Sequence, residues 1–342
     1  MEVSRVTRRK LPDEIGIFIV LLVVLAALAI LAPSFRTIDN LLVLLLNGSV
    51  IAFLALGQTF VLLTGGIDLS TGANIAMSGV LVALFMQAGL PWTIAALFAA
   101  ATGVLLGVVN AVLIHYLKVP AFIATFSTMG VASAIPLILT GANSVNVTDS
   151  GFSWIGQGAI IGIPIPVFML VVATLIAAIF LRRTRPGVHI YAFGGNRIAA
   201  RLAGVNVAGT TILVYGVSGL CGAIGGIIST SRLMVGFPAT GLGNELFFSI
   251  AAAVVGGVSL FGGVGTVQGA LLGAVLIATV NNGMNILNIS SYWQSLVIGL
   301  VILAGVSFDM QRRVRAERSS RADPLESELQ RDGAAVATVN AS

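Results

Sequence analysis

The sequence predicts an all-α, polytopic membrane protein of about ten transmembrane helices, with broken or re-entrant glycine-rich segments and an internal repeat. Three observations predict this class. Of 342 residues, 57% are hydrophobic and 9% charged, with a mean hydropathy of +1.03, whereas soluble domains carry about 25% charged residues. Apolar runs of about 20 residues, enough to cross a hydrocarbon core about 30 Å thick as a helix, recur along the chain. The period-two alternation of a transmembrane β-barrel is absent. Such a chain cannot present a wetted surface.

The elements follow in order. Residues 1–13 form a basic segment with Arg5, Arg8, Arg9 and Lys10. The apolar run Ile15 to Leu31 behind it is long enough to span. No clear small-x-small cleavage pattern follows, so it reads as a retained first helix. Candidate spans run 14–32, 40–63, 73–88, 92–114, 121–141, 164–181, 210–229, 249–262, 264–287 and 291–307. Ten spans place both termini on one side. With that side cytoplasmic, every Lys and Arg except Arg36 and Arg232 lies inside, as the positive-inside rule requires. The net charge of +5 is therefore membrane topology and not a nucleic-acid footprint. The transmembrane domain is expected over 14–308, and a polar, disordered cytoplasmic tail over 309–342. Cys221 stands alone in an apolar run, so no disulfide framework exists.

One span is doubtful. Residues 249–262 would rise only about 21 Å as a helix, short of the ~30 Å core, so a broken or re-entrant helix, buried in protein or lining a cavity, is as good a reading as a full crossing. Its end also echoes an earlier stretch. Residues 65–72 read GGIDLSTG and residues 256–263 read GGVSLFGG; both fit G-G-[IV]-x-L-x-x-G and both precede a helix rich in small residues. Many transporters are built from such repeats, with interrupted helices near the substrate route. Gly65, Gly66, Asp68, Gly72, Gly256, Gly257, Gly262 and Gly263 are the expected helix breaks. Asp68 is replaced by Ser259 in the second copy, so backbone freedom rather than an ionisable carboxylate is the shared feature. Near the cytoplasmic ends of two helices, Asp68 is expected to stay hydrated or to cap the third span.

The polar segment 182–209 is too long for a simple turn. Asn196 caps a short helix, Arg197 to Ala203, with Gly204 as its left-handed stop. A short helix at a membrane face suits docking, although topology alone also explains its arginines. GGNRIAARLAGV at 194–205 resembles the cytoplasmic coupling loop of permease subunits of bacterial ABC importers for monosaccharides, the ribose-type family. LLTGGIDLSTGANIAMSG at 62–79, the stretch 248–287 and SYWQSLVIGLVILAGVSFD at 291–309 are similar to that family's further motifs, in the same order.

The resemblance implies a homodimer in the bacterial inner membrane, surrounded by lipid, with both termini cytoplasmic. It implies a cytoplasmic ATPase subunit gripping the coupling loop, and a periplasmic or lipid-anchored binding protein that delivers the sugar. Asn196, Arg197, Ala199, Ala200, Arg201, Leu202 and Gly204 are the expected coupling residues, with Arg197 and Arg201 reaching the ATPase. No G-x-x-x-x-G-K-[ST] string exists, so no cofactor is expected on this chain, and ATP and Mg belong to the partner. The chain itself is not expected to be an enzyme, and neither histidine has metal-ligand spacing.

Neutral hydrogen-bonding side chains dominate the membrane interior, which suits a neutral polyol and not an anion. Asn74, Thr125, Ser127, Asn281, Asn282 and Asn285 are the candidate pathway residues; each alone also reads as a helix–helix contact. Two rivals remain. An ion-coupled secondary transporter would use Asp68. An intramembrane serine protease would use Ser218, whose string GVSG matches the G-x-S-G of rhomboid-type enzymes but lacks a following histidine.

Overall fold

A computed structural model describes residues 13–314 apart from Leu242, Ser291, Phe308, Arg312 and Arg313. Nearly all of the expected basic segment 1–13 and most of the tail 309–342 lie outside the described residues. Contacts divide the chain into a unit over residues 1–302 and a second over 303–342; every site below lies in the first.

The architecture is all-α and polytopic. In order come α1 (Asp13–Leu31), α2 (Ile38–Leu63), α3 (Ser70–Gln87), α4 (Trp92–His115) and α5 (Ala121–Thr140). A short strand β1 (Val145–Asn146), α6 (Ser150–Gln157) and the hairpin β2 (Ala159–Ile160) and β3 (Ile163–Pro164) lead to α7 (Ile165–Arg183). The helices α8 (Arg185–Gly195) and α9 (Arg197–Leu202) precede α10 (Val207–Leu233). The strand β4 (Val235–Gly236), α11 (Glu245–Val255) and α12 (Val267–Ile286) follow, and α13 spans Tyr292–Gln311. Eight of these helices are long and apolar enough to cross a membrane. Caps set several starts: Thr37 accepts from Asn40 N at 3.3 Å before α2, and Asp149 accepts from Gly151 N at 2.7 Å before α6.

The 27-residue α10 is the centre of the unit, packed on α4, α3 and α2. Its contact with α4 is backbone on backbone. A Cβ on Gly107 would overlap the Tyr215 carbonyl, and one on Gly219 would overlap the Gly103 carbonyl. Only small residues permit helices to approach this closely. At one end, β4 pairs antiparallel with β1, and Ser231 Oγ accepts from Gly156 N at 2.8 Å, tying α6 to the end of α10. The other end of the bundle carries α8 and α9.

The doubtful span is the broken helix that the sequence offered as one reading, with the break on its N-terminal side. Helix α11 has 11 residues and rises about 16 Å, half a membrane. Yet the chain does cross. From β4 at the far end, residues 237–241 run inward until Gly241 lies against the carbonyl of Gly72, in the first turn of α3. Helix α11 then continues to the α9 end, where Gly263 N donates to Leu63 O at 2.9 Å. One half of the crossing is irregular backbone and the other is helix, a form tolerated only where protein or water covers the backbone.

A second departure concerns α8. The sequence predicts one short helix in 182–209, and the structure has two, with α8 started by Thr184, whose Oγ1 accepts from Gly187 N at 3.2 Å.

Candidate functional site: the coupling junction and two cavities

Helix α9 is defined by its flanks. Asn196 ends α8, and its Oδ1 accepts from Ala199 N at 2.9 Å. After Leu202 the chain turns at Gly204, φ +81°, with Gly204 N donating to Arg201 O at 3.1 Å. Ala200 is the buried anchor, while Ile198 (76% exposed) and Leu202 (84% exposed) stand one turn apart on the outer face. Ile198 was not among the expected coupling residues; its signal in the sequence is the i, i+4 spacing with Leu202 on a helix otherwise flanked by polar residues. The two arginines differ. Arg197 folds back, its guanidinium 4.8 Å from the Phe193 ring centroid and its Nη2 3.4 Å from Thr64 O. Arg201 is exposed and lines a cavity of about 860 Å³ with His115, Lys118, Ile198, Leu202 and Asn206.

The GG pair that ends α8 is pinned between both copies of the repeated glycine string. A Cβ on Gly194 would overlap Leu63 O and Gly263 N, while Gly262 lies against Gly65 N and Gly194. Tyr191 of α8 donates to Gly265 O at 2.9 Å, and Arg182 at the end of α7 donates to Gln268 Oε1 of α12 at 3.2 Å. Burial raises the pKa of the Tyr191 phenol, with the Arg182 charge acting in the opposite sense. The turns α2–α3 and α11–α12 thus meet on one short element, and α9 is its direct continuation.

Asp68 is not where topology placed it. It is fully buried, and its Oδ2 accepts from Ser218 Oγ at 2.7 Å. Ser218 also backs onto Gly57 of α2, six residues or about 9 Å inside the end of that helix. The chain therefore climbs back into the bundle between Leu63 and Ser70. Oδ1 accepts from Ser70 N at 2.9 Å and from Ser70 Oγ at 2.6 Å. The carboxylate holds the first turn of α3, as a cap does, but buried rather than hydrated. Asn110 extends the network, donating to Ser70 Oγ at 2.9 Å and accepting from Thr128 Oγ1. The Ser218 hydroxyl donates to Asp68, so that serine belongs to the buried network that holds the start of α3.

The expected helix breaks divide by conformation. Gly65 (φ +70°), Gly257 (+86°), Gly262 (+89°) and Gly263 (+75°) lie in the left-handed region, whereas Gly66, Gly72 and Gly256 do not.

The six candidate pathway residues are not brought together. Asn74 is buried, donating to Gly219 O at 2.7 Å and accepting from Ser78 Oγ at 2.8 Å. Thr125 and Ser127 donate back along α5, to Ala121 O and Ile123 O, each at 2.8 Å. Asn282 forms a mutual amide pair with Asn40 of α2, at 2.8 and 3.1 Å. Only Asn281 and Asn285, with the edge of Asn282, face a common space, a cavity of about 430 Å³ at the end of the bundle opposite α9. Arg232 lines it too. The sequence places this residue outside the membrane as a mark of topology; the structure half-buries it, with Nη1 donating to Asn47 Oδ1 at 2.5 Å.

Apolar helices of spanning length, a crossing broken at half depth, and a polar cavity at each end define a multi-pass membrane permease. Residues 40–306 match the family described as the permease component of branched-chain amino acid transport systems, and the chain belongs to this family. It is 40% identical to the ribose import permease protein of Haemophilus influenzae, covering 85% of this chain and 91% of that one. It is 36% identical to the D-allose transport system permease protein of Escherichia coli, covering 87% and 91%. With the L-arabinose transport system permease protein of the same organism it shares 38% identity, over 90% and 93%. No solved structure matches the chain.

Proposed function

We propose that this chain is the membrane subunit of an ABC importer that carries a neutral monosaccharide across the bacterial inner membrane by alternating access. The observation that carries the reading is the junction at Gly194, where the element leading into α9 touches both glycine turns. A partner that moves α9 therefore moves the starts of α3 and α12 without a long relay. In this reading residues 182–209 are the coupling loop, and the cytoplasmic ATPase holds the ATP and Mg. The apolar pair Ile198 and Leu202, flanked by Arg201, is the docking face, while Arg197 secures α9 to the bundle. A second copy of the chain completes the pore, and an exported binding protein delivers substrate at the opposite end.

The family description names amino acids, whereas the relatives above are named for ribose, allose and arabinose. Neutral amides in the opposite cavity favour the sugars, since hydroxyls need both donors and acceptors and no net counter-charge.

The test is ATP-driven uptake of D-ribose, D-allose and L-arabinose in cells holding the chain with its ATPase and binding protein. Arg201→Glu, Leu202→Asp or a bulky residue at Gly204 is expected to abolish uptake while the chain still inserts. Uptake unchanged in all three removes the coupling role of α9.

A further inference from the structure

The cavity opposite α9 has chemistry that helix packing does not use. Asn47 of α2, Ser229 and Arg232 of α10, Thr240 of the irregular arm, Glu245 of α11, and Asn281 and Asn285 of α12 all line it. Its floor is apolar, with Ile51, Ile75 and the buried Phe248. Most amides here already have one partner: Asn285 Nδ2 donates to Asn281 Oδ1 at 3.0 Å, and Gln294 Nε2 donates to Asn285 Oδ1 at 2.8 Å. Glu245 differs. Its Oε2 is buried with no hydrogen-bond partner, and among the described residues it forms no ion pair with Arg232 across the same cavity. A buried polar atom left unpaired calls for an explanation: the Glu245 side chain is part-exposed on the cavity wall, and a rotation of its carboxylate brings Oε2 from beside Gly243 to a ligand hydroxyl.

We infer that this cavity is the substrate site of the permease, and that Glu245 is its principal hydrogen-bond acceptor for a neutral, polyhydroxylated monosaccharide. The inference rests on the importer reading above and adds the place and the residues. One cation and one anion that do not neutralise each other directly offer strong donors and strong acceptors with no net charge. The neutral amides add both kinds of partner, and the apolar floor accepts the C–H face of a sugar. A volume of about 430 Å³ falls within the ~300–1,000 Å³ of small-molecule sites. An anionic substrate would meet Glu245, and an apolar side chain would leave these groups unpaired.

The position also links the site to the energy input. Glu245 is the first residue of α11, whose last turn leads into the glycine turn held by Gly194. One short rigid helix joins the acceptor to the junction. A displacement of that turn withdraws or presents Glu245, so the affinity of the cavity changes with the state of α9.

The test uses the full-length chain in lipid nanodiscs, with Thr240→Cys as a reporter on the cavity wall; native Cys221 is buried and stays silent. The rate of thiol labelling is followed with D-ribose, D-allose, L-arabinose or L-leucine present. Slowed labelling with a sugar, and a half-protecting concentration raised about tenfold by Glu245→Ala, is expected for a lost charge-assisted hydrogen bond. Asn281→Leu is the second variant, expected to act in the same direction, and keeps the test decisive should Glu245→Ala not fold. Protection unchanged in the folded variants overturns the inference. So does absence of protection by any sugar while the complete importer takes that sugar up; the importer reading then stands and the site lies elsewhere. Protection by L-leucine alone overturns the sugar assignment, and absence of uptake of every sugar by the complete importer overturns the reading on which the inference rests.

Discussion

The two copies of G-G-[IV]-x-L-x-x-G touch at the junction, yet at none of their three shared glycines does the backbone agree. Gly65 has φ +70° where Gly256 has −65°. Gly66 lies outside the left-handed region where Gly257 is at +86°, and Gly72 sits inside α3 where Gly263 turns at +75°. The string therefore encodes permission to bend, and its surroundings choose the bend. In the first copy Asp68 draws three donors from Ser70 and Ser218, pulling the chain back into the bundle. In the second copy Ser259 closes a local turn, its Oγ accepting from Phe261 N at 3.2 Å and its N donating to Val264 O at 2.9 Å. The first turn is held by side-chain bonds to its carboxylate from α3 and α10, the second by its own serine together with bonds of its backbone to Leu63 and Tyr191. The second is the one attached to α11.

Substitutions can break or sharpen this contrast. The largest effect belongs to Gly194→Val, because its side chain would meet backbone from both turns, which cannot rotate away. We expect a loss at or above the top of the ~1–3 kcal/mol typical of overpacking, read as a lower melting temperature in detergent, together with loss of uptake. Asp68→Ala comes next. It leaves the Ser70 and Ser218 donors unpaired in a buried site, costing about 2 kcal/mol, whereas Asp68→Asn keeps an acceptor for Ser70 and is expected to lose less than half of that. The same pair addresses the ion-coupled rival: Asp68→Asn should retain most ATP-driven uptake, and complete loss with normal expression would restore a proton-carrier role. Gly263→Ala forces a side chain into the left-handed region beside Gly195, at about 1–2 kcal/mol. Ser259→Ala is expected to be the smallest, since the acceptor it takes away from Phe261 N serves a neutral local hydrogen bond, worth about 0.5–1 kcal/mol. If Ser259→Ala proves costlier than Asp68→Ala, the contrast between the carboxylate-held turn and the serine-held turn is wrong.

All the helices of spanning length were legible, because run length and charge placement are one-dimensional properties that the bilayer itself imposes. The broken crossing was anticipated as one reading, but the course of its irregular half was not: residues 237–241 carry no periodicity, and Gly241 is placed by Gly72 and Ile75, far away in sequence. The depth of Asp68 failed for a related reason. Counting residues from a helix end places a loop at the surface, and only the partner Ser218 reveals that it re-enters. Arg232 was counted only as one of two exceptions to the charge rule, and a count of charges could not show that it lines a cavity. The amides show the limit most clearly. Asn74, Asn281 and Asn282 are chemically identical in the sequence; what divides packing from lining is exposure, since Asn74 and Asn282 are buried against other helices and Asn281 is partly open to the cavity. Ile198 was passed over because an apolar residue on a short helix reads as core until its exposure is known.

The backbone-to-backbone seam between α4 and α10 has a genetic consequence. Every missense change reachable by one nucleotide from a glycine codon adds a Cβ, and at Gly107 and Gly219 that carbon lands on a carbonyl oxygen of the opposing helix. No substitution elsewhere relieves the clash, because the obstructing atom belongs to the main chain and is present whatever the residue. Random drift has no single step there, whereas the side chains around the opposite cavity can be exchanged one at a time. If the opposite cavity holds the substrate, a lineage built on this frame can change its cargo without re-spacing its central helices.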